Sequence, residues 1–375
     1  MDLMDTSAEP EIKSTPLVAV HKRLGARMVE FAGFLMPLSY AGIIVEHRAV
    51  RTHAGIFDLS HMGELMIEGH GAADLLEHAL TNSVARLSAD QAQYTLICAA
   101  DGGVIDDIIV YRVADQRFLL CVNAANIAQD KAWLEELART AGARIDDLSQ
   151  ATGLIAIQGP RALEILAPLT ELNLPQLKRF HSAQSRVAEI ACRIARTGYT
   201  GEDGFELFVE AESVETLFTR LLEAGENRGL RPCGLGARDS LRMEAGLPLY
   251  GHELDRATTP LEAGLESFVR FGRGFVGERA LVEEKGTGLR KRLIGMRTED
   301  GRSMARPGYR IYLQGKPVGT VTSGTFAPSF DRPLAMGYVE GAVEAAAGAR
   351  LEIEIRNKLV AAAVTALPFY RRVKP

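Results

Sequence analysis

Two adjacent carboxylates, Asp106 and Asp107, interrupt a strongly apolar stretch at residues 104–111. Side chains alternate along a β-strand, so one acid of such a pair must face inward while its neighbour can reach solvent. An inward carboxylate needs a partner or a chemical role, such as stabilising positive charge or moving a proton. The alternative is an edge or curled strand that leaves both acids in water.

A second candidate acid lies in a glycine-spaced segment, residues 198–208, which enters a strand. Glu206 stands between Phe205 and Leu207 at the start of that strand, so its carboxylate can point inward and accept hydrogen bonds. The alternative is a tight hairpin whose acids are solvated.

A candidate cation lies in residues 234–246, which predict a loop followed by a helix. Asp239 is placed to cap the helix N-terminus through its side-chain oxygen. Arg238, just before it, is then free to reach an anion, and the adjacent helix dipole adds a small favourable contribution.

Two further patterns are weaker. The spacing Gly-x-Gly-x-x-Gly occurs at residues 272–277, but the preceding run places Arg270 in what should be a fully buried parallel strand, and hairpins follow. We therefore predict a turn before a helix rather than a dinucleotide site.

Ser60 and His61 adjoin Asp58, but catalytic triads assemble from distant positions, so we expect His61 in a loop, lining a pocket or bonded locally.

Helical and strand patterns alternate through the first part of the chain. Strands joined both by tight turns and by helices favour an α+β fold over a doubly wound sheet. The predicted helices are 17–24, 42–53, 71–80, 125–140, 161–166 and 214–224. The predicted strands are 65–67, 93–98, 104–112, 117–123, 151–158, 187–196 and 205–209.

The C-terminal part changes character, with a boundary near 285–290. Short strand candidates separated by Gly, Pro, Asn and Asp predict a small antiparallel barrel. They are 293–296, 309–313, 316–323, 334–339, 351–355 and 359–365.

Composition excludes several classes of protein. The 375 residues carry a net charge of −5, which argues against a basic nucleic-acid footprint over the whole chain. Apolar residues make up 47%, which excludes overall disorder, and no apolar run approaches the ~18 residues of a membrane helix.

The 4 cysteines form no Cys-x-x-Cys pair, so we expect buried thiols in a reducing compartment, with a zinc site as the alternative. The acidic residues 1–14 lack the features of a signal or transit peptide, so we expect a frayed tail on a cytoplasmic protein.

Several stretches together resemble one family, the aminomethyltransferases, or T-proteins, of the glycine cleavage system. The resemblance runs from about Thr15 to about Arg372 and is specific because all the stretches occur in the same order. They are residues 25–33, 46–51, 57–62, 103–107, 198–202, 236–242, 244–251 and 322–324. Residues 275–281 are also similar, which gives the glycine pattern a structural explanation.

The resemblance implies a three-domain cloverleaf of α+β class around a central folate site, with a C-terminal antiparallel β-barrel. We expect residues 15–285 to form the folate-binding region, as two interleaved α+β subdomains, and residues 286–375 to form the barrel domain. No metal, nucleotide, nucleic acid or membrane is implied.

The implied activity moves a one-carbon unit from the aminomethyl-lipoyl arm of H-protein to tetrahydrofolate, giving 5,10-methylenetetrahydrofolate and ammonia. Lipoylated H-protein and folate are the implied partners. One alternative is a folate-dependent methyl or methylene transferase that uses another small donor, such as a methylated amine or sulfonium compound. Another is a non-catalytic folate-binding accessory protein, which the lack of any cysteine after Cys233 disfavours.

The resemblance also implies roles for single residues. Asp106 matches the catalytic aspartate, Glu206 the pterin-binding glutamate and Arg238 a substrate contact, which we expect at the mouth, near the acidic folate tail. Tyr94 and Met62 match positions that surround the cofactor with apolar surface.

The remaining candidates come from chemistry and position. Asn123, at a strand end, can supply amide contacts to the pterin, and Arg371 is a further C-terminal candidate for the folate tail. Asp107 is assigned to solvent or structure, although the roles of Asp106 and Asp107 exchange if the strand has the opposite phase.

Overall fold

A computed structural model describes residues 12–372, which form three sheets and a closed barrel. The α-helices are α1 (Val18–Arg23), α2 (Ile43–Thr52), α3 (Ala72–Ala79), α4 (Ile127–Ala138), α5 (Ala162–Leu166), α6 (Val214–Gly225), α7 (Leu235–Glu244) and α8 (Glu278–Thr287). None of these helices is long and apolar enough to cross a membrane.

The strands that precede the barrel are β1 (Lys13–Ser14), β2 (Arg27–Phe31), β3 (Phe34–Ser39), β4 (Ala54–Asp58), β5 (Gly63–Glu68), β6 (Ala92–Cys98), β7 (Val104–Ala114), β8 (Arg117–Val122), β9 (Arg144–Asp147), β10 (Thr152–Gln158), β11 (Ser182–Val187), β12 (Ile190–Ala195), β13 (Gly204–Glu210) and β14 (Leu230–Pro232). Of the predicted N-terminal tail, residues 1–11 lie outside the described residues, whereas β1 pairs with β3.

The first large sheet has the strand order β6-β7-β8-β5-β9. Alternation along β5 sends Leu65 and Ile67 into a core beneath α3 and α4, and sends Met66 to the opposite face. Both faces are covered, so buried apolar residues project from both sides of its central strands.

The second large sheet has the order β11-β12-β13-β10-β4-β14, with α5 and α6 on its outer face. Its inner face packs against the first sheet. Phe208 of β13 and Tyr111 of β7 meet edge to face there, with ring centroids 5.4 Å apart. The space between the two sheets is therefore bounded by β7 and β8 on one side and by β10 and β13 on the other.

The strands of the C-terminal barrel are β15 (Lys291–Thr298), β16 (Arg310–Leu313), β17 (Lys316–Ala327), β18 (Arg332–Glu340), β19 (Arg350–Ile355) and β20 (Lys358–Thr365). The barrel is closed in the order β15-β18-β17-β16-β19-β20, and every pairing around it is antiparallel. The predicted α+β class and C-terminal antiparallel barrel are confirmed. The predicted division between residues 285 and 286 falls within α8 and stays a prediction.

Two local expectations are wrong. The sequence predicts one strand over residues 187–196, but these residues hold the end of β11, a turn and then β12, because Ala188 and Glu189 turn the chain at φ 46° and 63°. Neither residue type signals a left-handed conformation. Asp239 does not cap α7, because the helix already begins at Leu235, and Asp239 instead pairs with Arg242 inside it.

Candidate active site

The inner face of the first sheet is organised in rows across its strands. One row crosses β5, β8, β7 and β6 and consists of the successive neighbours Glu64, Cys121, Ile109 and Tyr94. Asp107 lies two residues before Ile109 and therefore points to the same face, towards the second sheet.

Asp107 is held from two sides. The Tyr94 hydroxyl donates a 3.0 Å hydrogen bond to Asp107 Oδ2, and Asn123 Nδ2 donates one of 3.0 Å to Asp107 Oδ1. The Asp107 side chain is only half-buried. Burial and the neighbouring Asp106 raise the pKa of Asp107 to about 7. This carboxyl group is thus placed to change protonation state near neutral pH.

Asp106 points the other way and has no accessible surface. Its oxygens accept hydrogen bonds from the Asn123 backbone N–H at 3.0 Å, from Asn123 Nδ2 at 2.8 Å and from Asn126 Nδ2 at 2.6 Å. Burial raises the pKa of Asp106, and these donors oppose that rise. The carboxylate expected to be catalytic is therefore enclosed by protein, and its oxygens are already occupied.

A third acid lies behind this pair. Asp130 of α4 is fully buried, and no donor among residues 12–372 reaches its oxygens. Burial and the Asp106 charge raise the pKa of Asp130 to about 11. This raised pKa favours a protonated Asp130 at neutral pH. This proton leaves the cluster with less negative charge than three ionised acids would carry.

The second sheet contributes Glu206 from β13. Its cross-strand neighbours are the small residues Ala195 and Ala156, which leave room above the carboxylate. The Thr197 hydroxyl donates to Glu206, and Tyr111 lies against the same carboxylate. Burial raises the pKa of Glu206, and the Thr197 hydrogen bond and the Arg238 charge oppose the rise.

Arg238 lies within α7 and faces the same space. Its guanidinium stacks on the Tyr199 ring, 4.8 Å from the centroid, and forms no hydrogen bond or ion pair with residues 12–372. Burial lowers the pKa of Arg238, and the charges of Tyr199 and Glu206 oppose that shift. Arg238 is thus half-buried, stacks on Tyr199 and acts electrostatically on Glu206, and its expected place at the mouth stays a prediction.

The structure brings most of the predicted residues together, but not all of them. Met62 is half-buried and packs against the hydrophobic core between the two sheets. Arg371 is exposed near the end of the described chain and forms no hydrogen bond or ion pair with the rest of residues 12–372. Its role at the folate tail therefore stays a prediction.

Sequence reasoning missed several residues around the site. Asn126 and Asp130 follow Asn123 at intervals of three and four, which is the spacing of one helix face. That pattern was a usable signal. Thr197 and Tyr111 gave none, because their contacts with Glu206 depend on the pairing of distant strands. Cys121, expected to be buried, is half-buried on the inner face of β8.

The site combines one carboxyl group that can ionise, Asp107, with a hydrogen-bond acceptor, Glu206, and a hydrogen-bond donor, Arg238. Asp107 can stabilise positive charge or accept a proton, while Glu206 and Arg238 offer an acceptor beside a donor. Among the described residues, no group of three or more His, Cys, Asp and Glu side chains is arranged to hold a metal ion.

Comparisons with known proteins place this geometry in a family. Residues 17–273 match the GCVT N-terminal domain, and residues 291–371 match the glycine cleavage T-protein C-terminal barrel domain. The chain belongs to the glycine cleavage T-protein family. The resemblance seen in the sequence is thereby confirmed, and the chain is an aminomethyltransferase of the glycine cleavage system.

Relatives in this T-protein family match along nearly the whole chain. An aminomethyltransferase of Moorella thermoacetica is 47% identical, covering 97% of this chain and 99% of that protein. One from Thermus thermophilus is 46% identical, covering 96% and 99%. The solved glycine cleavage system aminomethyltransferase T of Bartonella henselae is 37% identical, covers 97% and 100%, and superposes with a TM-score of 0.90. The fold expected of a T-protein is therefore confirmed, and membership of the family implies the use of folate.

Proposed function

We propose that this protein transfers the one-carbon unit of the aminomethyl-lipoyl arm of H-protein to tetrahydrofolate, giving 5,10-methylenetetrahydrofolate and ammonia. The observation that carries the proposal is the half-buried Asp107, which lies on the face of the first sheet that is turned towards the second sheet, where Glu206 is located. Membership of the T-protein family supports aminomethylated H-protein as the donor and tetrahydrofolate as the acceptor. The predicted cytoplasmic location stays a prediction.

Glu206 and Arg238 suit one edge of a pterin ring. That edge presents N–H donors next to a carbonyl acceptor, which complements a carboxylate beside a guanidinium. Arg238 forms no side-chain hydrogen bond or ion pair with residues 12–372, so its guanidinium is free to donate to a ligand carbonyl. Because Arg238 stacks on Tyr199 and its charge acts on Glu206, we assign it to the ring rather than to the folate tail.

Asp107, and not Asp106, is our candidate for the catalytic carboxylate. Asp106 has no accessible surface, and Asn123 and Asn126 occupy its oxygens. Asp107 is half-buried and keeps its carboxylate on the inner face, beside Tyr94. The geometry therefore supports the alternative in which Asp107 faces the site and Asp106 faces away from it. The sequence alone left this alternative open.

The reaction needs no outside oxidant or reductant. The transferred carbon loses its bonds to sulfur and to the amino nitrogen, and it forms bonds to two folate nitrogens. The two hydrogens released from those nitrogens go to the sulfur and to the departing ammonia. An ionised Asp107 stabilises positive charge on the carbon during transfer and can accept a proton from a folate nitrogen.

Neighbouring residues prepare Asp107 for this role. Asn123 Nδ2 lies between the two acids, 2.8 Å from Asp106 Oδ1 and 3.0 Å from Asp107 Oδ1, so it separates two like charges. The Tyr94 hydroxyl fixes the second oxygen of Asp107. The carboxylate is thus preoriented, and little reorganisation is needed when charge develops.

The test is tetrahydrofolate-dependent ammonia release from aminomethylated H-protein. We expect release with this donor, and none when tetrahydrofolate is omitted. Methyl transfer from small methylated amines or sulfonium compounds, with no activity on aminomethylated H-protein, would instead support the sibling transferase. Tetrahydrofolate binding without any turnover would indicate the accessory protein.

A further inference from the structure

A buried arginine outside the site joins three parts of the fold. Arg51 of α2 is 8% exposed. Its Nη1 donates to the Thr200 carbonyl at 2.7 Å and to Glu202 Oε1 at 3.0 Å, while Nη2 donates to Glu244 Oε2 at 3.0 Å. One guanidinium therefore ties the loop before β13 to the end of α7.

The C-terminal segment closes over this arginine. The Tyr370 ring lies 3.9 Å from the guanidinium carbon of Arg51, and its hydroxyl donates a 2.8 Å hydrogen bond to Glu202 Oε1. Arg372 Nη1 lies 3.0 Å from Glu202 Oε2 as an ion pair. The loop carboxylate is thus held by α2 and by the chain that leaves the barrel.

The same loop leads directly to Glu206. The Thr200 hydroxyl donates to Gln158 Oε1 at 2.9 Å, and Gln158 Nε2 donates to the Thr197 carbonyl at 3.1 Å. The Thr197 hydroxyl in turn donates to Glu206. A continuous run of hydrogen bonds therefore joins the Arg51 contacts to this carboxylate.

The loop also leads to Arg238 through Tyr199. This residue lies between Thr197 and Thr200, and its ring is the surface on which Arg238 stacks. The loop is packed tightly against α7, since a Cβ built at Gly201 would lie 2.9 Å from the Ala245 side chain and the φ there is +80°. The position of the loop therefore sets the position of the ring on which the Arg238 guanidinium stacks.

We propose that Arg51 is a positioning residue, which holds residues 197–202 so that Glu206 and Arg238 stand in their tetrahydrofolate-binding arrangement. Without Arg51, the buried Glu202 and Glu244 lose the counter-charge that they share, and the loop loses its ion pair to α2. Asp107 lies on the other sheet and keeps its contacts. This inference rests on the proposed function, because it assigns Glu206 and Arg238 to folate.

The test compares Arg51→Met with a matched buried arginine. Arg193 of β12 is also 8% exposed and is also paired, to Asp90 and Ser182 at 2.8 Å, but it contacts no member of the site. Tetrahydrofolate affinity is measured by calorimetry at a temperature where circular dichroism shows each variant folded. We expect Arg51→Met to raise Kd at least about tenfold and Arg193→Met to leave it within about twofold.

Kinetics separate positioning from general loss of structure. In Arg51→Met we expect the KM for tetrahydrofolate to rise while kcat at saturating folate stays within about threefold of the parent, because Asp107 is untouched. Arg51→Lys keeps the charge but loses the forked geometry, so we expect an intermediate Kd. Tyr370→Phe keeps the stacked ring but removes the hydroxyl, so we expect a smaller rise. Those two variants decide the matter if Arg51→Met does not fold.

Two further variants distinguish failure of this inference from failure of the proposed function. Glu206→Gln and Arg238→Ala are measured in the same series. If neither weakens tetrahydrofolate binding, the folate assignment itself is wrong. If both weaken it, but the Arg51 and Tyr370 variants change Kd no more than Arg193→Met, Arg51 has only a structural role and the inference is overturned.

Discussion

The Tyr94 hydroxyl reaches across from β6 to the Asp107 carboxylate of β7, at 3.0 Å, on the face that looks towards the second sheet. Tyr94 also packs edge to face on Phe268, with centroids 4.7 Å apart, so the hydroxyl approaches from a fixed ring. Asp107 is thereby held in one orientation beside the proposed folate site. Asp106, its neighbour in sequence, points away from that face into a buried network with Asn126 and is joined to Asp107 through the Asn123 amide.

This relationship predicts different outcomes for the two acids. We expect Asp107→Asn to lose most turnover while tetrahydrofolate affinity changes little, because the amide keeps the size but not the charge. We expect Asp106→Asn to keep substantial turnover, since Asp106 does not reach the site. Steady-state ammonia release and calorimetric binding, measured on both variants, check this. Near-normal turnover in Asp107→Asn, with a large loss in Asp106→Asn, would return the catalytic role to Asp106.

The pH dependence follows from the shift at Asp107. Its pKa is raised to about 7, and the ionised form is the active one, so kcat/KM should rise with pH through about 7 and then level off. Asp106→Asn removes a nearby negative charge, so it should lower the pKa of Asp107 and move this limb to lower pH. Tyr94→Phe removes a hydrogen bond that lowers the pKa, so it should move the limb to higher pH. Shifts in the same direction for both variants would exclude Asp107 as the titrating group.

Glu206→Gln should weaken tetrahydrofolate binding. A carboxylate accepts from two N–H groups, whereas an amide offers one acceptor and places an NH₂ against a donor. We expect a loss of about 1.5–3 kcal/mol, the range for hydrogen bonds to charged groups, as measured by calorimetry. Thr197→Val, which removes the hydroxyl that orients Glu206, should show a smaller loss of the same kind. Unaltered binding in Glu206→Gln would remove this residue from the pterin site.

Arg238→Ala tests which part of folate this arginine contacts. Its electrostatic interaction with Glu206 and its stacking on Tyr199 predict equal losses of affinity for polyglutamylated and tail-less tetrahydrofolate. A selective loss for the polyglutamylated form would place Arg238 at the tail, as the sequence first indicated. Arg371→Ala is the matched comparison, because that exposed arginine is the remaining candidate for the tail.

Stability should depend on pH through Asp130. Its pKa is about 11 in the folded protein against an ordinary value of 3.8, so the folded state keeps a proton that the unfolded state loses above pH 4. The folded state therefore loses stability as pH rises from 3.8 towards 11, with a slope of at most about 1.4 kcal/mol per pH unit. Asp130→Asn has no such proton, so its stability relative to the parent should increase as pH rises. Denaturant unfolding at pH 6 and about pH 9 checks this, and an unchanged difference would contradict a protonated Asp130.

The sequence predicted the elements better than it predicted the orientation of the site. Alternation requires Asp106 and Asp107 to face opposite sides, but both faces of β7 are buried. Ile105 and Ile108 pack towards the helices, and Tyr111 packs towards the second sheet. Apolar residues therefore occur in both phases, and the pattern contains no information about which acid meets the site. Only the packing of the two sheets decides it.

The contacts that organise the loop before β13 were also hidden from the sequence. Arg51, Glu202 and Tyr370 lie far apart along the chain, and each is an ordinary surface residue type. Their burial follows from the return of the C-terminal segment to α2 and α7, which no local pattern encodes. The barrel was predictable, by contrast, because tight turns such as Gln314-Gly315 connect strands that are adjacent in sequence.

The structure of this protein with bound tetrahydrofolate is the most direct test of the proposed chemistry. We predict that the pterin lies between the two sheets, with Glu206 and Arg238 on its polar edge. We also predict the Asp107 carboxylate at about 3 Å from a folate nitrogen that accepts the carbon. A ring bound elsewhere, or a folate nitrogen in contact with Asp106 and out of reach of Asp107, would contradict the account.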